Sequence, residues 1–219
     1  MKFSVRQAGS VFLVLLALAA CDTATDEPDH NKGDLAAGRV CGGALSGDSA
    51  RALEAVSGAT KFSEVAPGGG MRGVVTGITE QYPGQVGKAK DYGLCQVYAT
   101  SGEGLDLEIS YSLSDEKSAA SGGEDPAFVK YAIGRKALAT VGKAVLYYDC
   151  VSAKLPGSAG APAIIRGELN HRQDPTGNAQ EVGERNLTIL NSASLALAKN
   201  LGCERNGKLV DKPALTPAS

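Results

Sequence analysis

The fold is decided by residues 105–113, which read LDLEISYSL. Apolar and polar side chains alternate strictly along this stretch. A period of two places the apolar side chains on one face of a β-strand and the polar side chains on the other. One buried face and one wet face are typical of a strand in an antiparallel sheet. Residues 105–113 therefore predict a half-buried antiparallel strand.

Other segments extend this sheet. Residues 100–104, which are rich in Ser and Gly, fit a hairpin between 105–113 and a preceding strand. Gly134 indicates a bulge or a break within another strand. The strands that we predict besides 105–113 cover residues 95–99, 128–139, 144–151 and 163–169.

Two helices flank the sheet in this prediction. The first covers about 48–57 and ends at Gly58. The second covers about 187–201 and ends at Gly202. Its inward face, at helical spacing, carries Leu187, Leu190, Ser194, Leu197 and Leu201. The sequence thus predicts an α+β fold with a largely antiparallel sheet, in two weakly pseudo-symmetric halves that meet at the polar segment 114–126.

The N-terminus has the three parts of a secretory signal. Lys2 and Arg6 precede a short apolar core, and small residues follow it. Residues 18–21, Leu-Ala-Ala-Cys, resemble the lipobox of bacterial lipoproteins. The resemblance implies that Cys21 becomes the lipidated first residue of the mature protein, tethered to the extracytoplasmic face of the membrane. An ordinary signal followed by a chance cysteine is the alternative.

Four cysteines remain once Cys21 is set aside. An even number in an exported protein indicates two disulfides, for which three pairings exist. We favour Cys41–Cys95 and Cys150–Cys203, because each bond then closes one half of the chain. In the chain-entropy account each loop of this length contributes about 4 kcal/mol. The cysteines form no Cys-x-x-Cys pair, so we predict no metal site.

Composition sets the domain organisation. We assign residues 1–20 to the signal, 21–39 to a disordered acidic tether, 40–204 to the folded domain and 205–219 to a flexible tail. The whole chain carries 22 basic and 24 acidic residues, and removal of the signal leaves 20 basic residues and a formal charge of −4. Nothing in this balance predicts nucleic-acid binding, which needs a clustered basic face.

The motifs that could carry chemistry are incomplete. Gly68, Gly70 and Gly73 match G-x-G-x-x-G, but the β-branched residues 74–76 disfavour the helix that a dinucleotide site needs, so we expect a loop there. Ser114 and Lys117 match S-x-x-K, the nucleophile and base of penicillin-interacting enzymes, but no Lys-Thr-Gly or Ser-Asp-Asn follows. We therefore assign no catalytic residue and no cofactor.

The histidines and tyrosines support no stronger assignment. A Ser-His-Asp triad could use only His30 or His171, and we expect His171 to be exposed in a polar loop over 170–184. Residues 186–188 form a glycosylation sequon in form only. Tyr147 and Tyr148 point to opposite faces of a strand, so at least one could line a groove.

Three segments resemble small secreted lipoproteins of actinobacteria, namely 41–43, 146–150 and 196–203. The resemblance implies a surface location. Our first hypothesis is a non-catalytic module on the cell envelope that binds a small ligand or an envelope protein. The alternatives are an envelope hydrolase or acyl-transfer enzyme that uses Ser114 and Lys117, and an accessory subunit of a membrane complex.

Overall fold

A computed structural model describes residues 35–82, 90–100, 106–121 and 126–218. The proposed signal, the lipidation residue Cys21 and most of the acidic tether lie outside these residues, as do residues 101–104 of the predicted hairpin link. Within the described residues the fold is α+β, with seven strands and four α-helices around one sheet. The predicted fold class is confirmed.

Every predicted strand segment contains strand, and β1 is an additional strand outside the predicted segments. Residues 128–139 form two strands that turn at Gly134, where φ is +58°. The strands are β1 Phe62–Val65, β2 Tyr92–Ala99, β3 Asp106–Ser114, β4 Val129–Tyr131, β5 Lys136–Ala139, β6 Lys143–Cys150 and β7 Ala163–His171. The helices are α1 Asp48–Ser57, α2 Gly70–Gln81, α3 Glu116–Ser121 and α4 Ala179–Leu201.

The sheet has the order β1-β2-β3-β7-β6-β5-β4, and every neighbouring pair is antiparallel. Strands β1, β2 and β3 contain 4, 8 and 9 residues, and so do β5, β6 and β7. The last strand of each half, β3 and β7, pair along the centre. The helices do not repeat in this way, because α2 joins β1 to β2 while a short turn joins β5 to β6.

The two faces of the sheet differ in chemistry. On one face, which we call the helix face, Ile109, Tyr111, Leu146 and Leu169 are buried beneath the helices. On the opposite face, which we call the polar face, β3 and β7 present their polar side chains. Helix α3 covers part of the polar face, and Ala119 packs there in a small cluster with Leu138, Val145, Tyr147 and Ile164.

Helix α4 is the main support of the helix face. All five residues of the predicted inward stripe are buried. The helix begins eight residues earlier than its apolar spacing predicts, because the Asn178 side chain accepts hydrogen bonds from the backbone N–H groups of Gln180 and Glu181. Of the expected loop 170–184, residues 170–171 belong to β7, residues 179–184 belong to α4, and residues 172–178 form a loop as predicted.

Both predicted disulfides are present. Cys41 bonds Cys95 of β2, and Cys150 at the end of β6 bonds Cys203 just after α4. All four cysteines are buried. The first bond ties the segment before α1 to a strand of the sheet, and the second ties the segment after α4 to another strand, so each half of the chain contains one bond.

The prediction of a loop around Gly68, Gly70 and Gly73 is wrong, because α2 begins at Gly70. Side chains at two of its glycines would collide with other parts of the fold: a Cβ at Gly73 would overlap the carbonyl of Gly68, and a Cβ at Gly77 would overlap the ring of Tyr92. Close packing on β2 therefore overrides the weak helix propensity of Gly and Val. The helix follows an antiparallel edge strand, which is not the parallel βαβ setting of a dinucleotide site.

Both edges of the sheet meet terminal segments of the domain. Leu35 and Phe62 of β1 exchange backbone hydrogen bonds of 2.8 and 2.9 Å, so Leu35, a residue of the predicted tether, is part of the folded domain. At the other edge Ala218 donates to the carbonyl of Lys130 in β4 at 2.8 Å. Leu209, in the segment assigned to a flexible tail, is 3% exposed.

Candidate functional site

A cavity of about 950 Å³ opens at the end of the sheet where the β5–β6 turn, the start of β4 and the first turn of α4 meet. Ligand sites in proteins commonly have volumes of 300–1,000 Å³ and combine an apolar wall with a few convergent polar groups. This cavity has both. Its apolar lining comes from Ala127, Phe128, Val129, Ala139, Val141 and Ala179, and its polar side chains are Thr140, Lys143, Asn170, Asp174 and Gln180.

The rim of the cavity, residues 140–142, is held from behind by Asn186 of α4. The Asn186 side chain is completely buried, and its Nδ2 donates to the carbonyls of Thr140 and Val141 at 3.2 and 2.9 Å. Its Oδ1 faces His171 Nε2 at 2.9 Å. Because an amide oxygen only accepts, Nε2 carries the proton of the neutral ring. The rim is thus fixed by one fully used amide group.

His171 is the last residue of β7, and its side chain packs between β7 and α4. The expectation of an exposed loop histidine is wrong. Its Nδ1 is buried and has no hydrogen-bond partner among the described residues. Burial lowers the pKa of His171, against the opposing effects of the Asn186 hydrogen bond and the charge of Asp174. The neutral ring is the form that this site favours. Asn186, the asparagine of the apparent sequon at 186–188, is completely buried.

A cluster of charged residues lies on the polar face beside the cavity. Glu168 of β7 is central: its Oε1 accepts from Lys143 Nζ at 2.8 Å and from Asn170 Nδ2 at 2.6 Å, and its Oε2 contacts Arg166 Nη2. The Glu168 side chain is only 14% exposed. Burial, followed by the positive charge of Arg166, lowers the pKa of Lys143. Lys143 and Asn170 belong to both this cluster and the cavity wall.

Ser114 and Lys117, the residues of the S-x-x-K match, lie elsewhere. Ser114 ends β3 and Lys117 is in α3, and both line a groove of about 420 Å³ with an apolar floor formed by residues 161–164. Ser114 Oγ donates weakly to the Asp115 carbonyl at 3.5 Å. No hydrogen bond joins Ser114 to Lys117, although both residues are among those described.

A smaller polar cavity of about 260 Å³ adjoins this groove. Ser112, Ser114, Ser118, Tyr147 and Arg166 are among its lining residues. Tyr147 and Tyr148 do point to opposite faces, and both are buried, with exposures of 5% and 0%. Tyr147 packs beside Arg166 on the polar face, whereas Tyr148 lies in the main core.

Sequence reasoning missed the cavity and the charged cluster. Lys143, Glu168 and Asn170 come from two strands that are neighbours only in the folded sheet, and nothing local to either strand indicates that they meet. One signal was available: Arg166, Glu168 and Asn170 alternate with apolar residues along β7, which predicts one polar face. The partner strand could not be found in this way.

These features define a class of protein: a disulfide-bonded α+β domain with a single antiparallel sheet and a cavity at the end of that sheet. Comparison with protein-family models, with curated proteins and with solved structures finds no match for this chain. No helix in the described part of the chain has the length and apolar character required to cross a bilayer.

Proposed function

We propose that this protein is a membrane-anchored, extracytoplasmic binding module that takes a small ligand into the cavity at the end of its sheet. The observation that carries the proposal is the cavity itself, about 950 Å³ in volume, with an apolar wall and convergent polar side chains. Its size and its mixed lining match those of ligand sites in general.

The cavity wall is preformed, which favours binding. Asn186 fixes the rim, and Gly183 of α4 packs against Ala139, where a Cβ would come within 3.3 Å of the alanine methyl group. A site that is already in its binding conformation loses less free energy to ordering when the ligand arrives.

The arrangement of nucleophiles favours binding over catalysis. An acyl-transfer mechanism needs a nucleophile within hydrogen-bond reach of its base. Ser114 Oγ is directed to a backbone carbonyl, and His171 Nε2 is bonded to Asn186. Among the described residues, neither Ser114 nor His171 is thus paired with a partner for that chemistry, so the binding module remains our first hypothesis.

The membrane anchor in this proposal is supported by the sequence alone. The lipobox resemblance at Cys21 implies two acyl chains, and two chains are the usual requirement for stable attachment to a bilayer. The cavity would then be presented outside the cytoplasm at the end of a short acidic tether.

Native mass spectrometry of the exported protein from its own host tests the proposal. We expect a discrete additional mass that disappears on denaturation. Ala179→Trp places a large side chain in the cavity at an exposed position, and it should abolish this mass. Ala161→Trp makes the same change in the 420 Å³ groove, also at an exposed position, and should leave the mass in place.

Two results would contradict the proposal. One is an additional mass that survives Ala179→Trp, which would place the ligand elsewhere. The other is a bare protein mass together with an unchanged melting temperature in concentrated envelope extract.

A further inference from the structure

The charged cluster beside the cavity contains more positive than negative groups. Lys143 and Arg166 share the single carboxylate of Glu168. The three side chains are 35%, 26% and 14% exposed, so their charges are only partly solvated. Partly buried charges are stabilised by a partner of opposite sign. The second positive charge of this cluster has no second carboxylate within it.

Hydrogen-bond donors are also in excess where the cluster meets the cavity. Lys143 Nζ and Asn170 Nδ2 both donate to the same oxygen, Glu168 Oε1. An ammonium group has three N–H donors and an amide nitrogen has two. Unused donors on both residues therefore remain at the cavity wall, where they can bind an acceptor.

Three further carboxylates lie nearby, and none of them completes the cluster. Glu108 of β3 is paired in register with Asn170 and is partly exposed, and among the described residues it forms no ion pair with Lys143 or Arg166. Asp174 lines the cavity, but it is exposed and packs against Gly142 in the loop after β7. Asp91 acts on Lys143 from a distance and is also exposed. Water solvates Asp174 and Asp91 and screens their charges. Because Lys143 is half-buried and these two carboxylates are exposed, an anion stabilises the charge of Lys143 more than a cation stabilises either carboxylate.

The rest of the cavity suits an apolar group. Phe128, Val129 and Val141 present hydrocarbon to the cavity and are partly exposed in the unliganded protein. Covering such surface is favourable by about 25 cal/mol per Å². An occupant with a hydrocarbon body and one anionic end would satisfy both parts of the wall.

We propose that the cavity binds an amphipathic monoanion, with a carboxylate or a similar oxyanion at Lys143 and Asn170 and an apolar body against Phe128, Val129 and Val141. This inference rests on the proposed function and names the chemical class of its ligand. The charge pair Lys143–Glu168 orients the ammonium group, and the anion binds to the remaining donors.

Octanoate, octan-1-ol and octylamine test the proposal, because they share one hydrocarbon chain and differ in the charge of the end group. The protein is residues 21–219 with Cys21→Ser, exported through a secretion signal, since every described element lies within this range. Isothermal titration calorimetry should detect one site for octanoate, with the other two compounds bound at least fivefold more weakly.

Three variants locate the site. Lys143→Met should weaken octanoate about tenfold, the scale of a charge-assisted hydrogen bond, and should leave octan-1-ol unchanged. Lys130→Met, at an exposed lysine on neighbouring β4 that lies outside the cavity wall, makes the same change in net charge and should have no effect. Ala179→Trp should abolish binding of all three compounds.

The outcomes separate the two proposals. If octylamine or octan-1-ol binds as tightly as octanoate, or if Lys143→Met has no effect, the anionic class is wrong while a small-ligand cavity stands. If none of the three compounds binds, the amphipathic class is wrong. In that case the native mass measurement on Ala179→Trp decides separately whether the cavity holds a ligand of another kind.

Discussion

The helix face and the polar face of β3 and β7 are built by alternate residues of the same two strands, but the two sets of residues experience different environments. Ile109 and Leu169 are completely buried under the helices, whereas Ser110 and Glu168, one residue away on each strand, remain partly exposed. The helix face obtains its free energy from burial of apolar surface. The polar face holds the charged cluster beside the cavity. The main source of stability and the proposed binding site thus lie on opposite sides of two strands.

Ile109→Ala gives the largest expected difference between the faces. Removal of a buried aliphatic side chain leaves a cavity and should lower the free energy of unfolding by about 2–5 kcal/mol. The neighbouring Ser110→Ala, on the polar face, should change it by less than about 0.5 kcal/mol. Urea denaturation measures both. Equal losses would show that the two faces contribute alike to stability.

Gly167→Ala examines the contact between β7 and the helix-face core. A Cβ at Gly167 would lie 2.8 Å from the ring of Tyr111 and 3.2 Å from Ser194 Oγ. Overpacking of this kind should cost about 1–3 kcal/mol. Gly160→Ala is the control, because a Cβ there meets only a backbone oxygen at 3.7 Å. If both variants unfold at the wild-type urea concentration, the core has room that the structure does not show.

Acidification should lower the stability of the folded protein through His171, whose side chain packs between β7 and α4 beside the cavity rim. The pKa of His171 is lowered in the folded protein, so below about pH 6.5 the unfolded chain binds a proton that the folded chain does not. The free energy of unfolding should therefore fall as the pH drops from 7.5 to 5.5, by at most about 1.4 kcal/mol at pH 5.5. The loss levels off once the folded ring is also protonated.

His171→Gln supplies the control for this pH dependence. The variant lacks His171 but keeps His30, which is common to both proteins, and the carboxylates titrate mostly below the window. Its free energy of unfolding should vary less between pH 7.5 and 5.5 than that of the wild type. An identical slope in both proteins would assign the pH dependence to other groups.

Lys143→Met should have the smallest effect on stability. The lysine is about one-third exposed, and ion pairs of this kind contribute less than about 1 kcal/mol. High salt should reduce even this difference, because it screens the pair. Urea denaturation at low and high ionic strength measures both effects. A loss as large as that of Ile109→Ala would show that the polar face is part of the folding core.

The fold class could be predicted from the sequence because its signals are local. The alternation along 105–113 and the helical stripe of α4 depend only on the geometry of a single strand or helix, and both are confirmed. The disulfide pairing followed from the order of cysteines among these elements. The signal and lipobox at 1–21 lie outside the described residues and stay predictions.

Long-range contacts decided the rest. Helix α2 exists because Gly73 and Gly77 allow close approach to the Gly68 carbonyl and the Tyr92 ring, which no window of sequence records. The pairing of β3 with β7, the hydrogen bond between Asn186 and His171 and the ion pair of Lys143 with Glu168 join residues that are 15 to 64 positions apart and lie in separate elements. Local periodicity fixes which face of a strand is buried, but only the packed sheet determines which polar residues share a cavity.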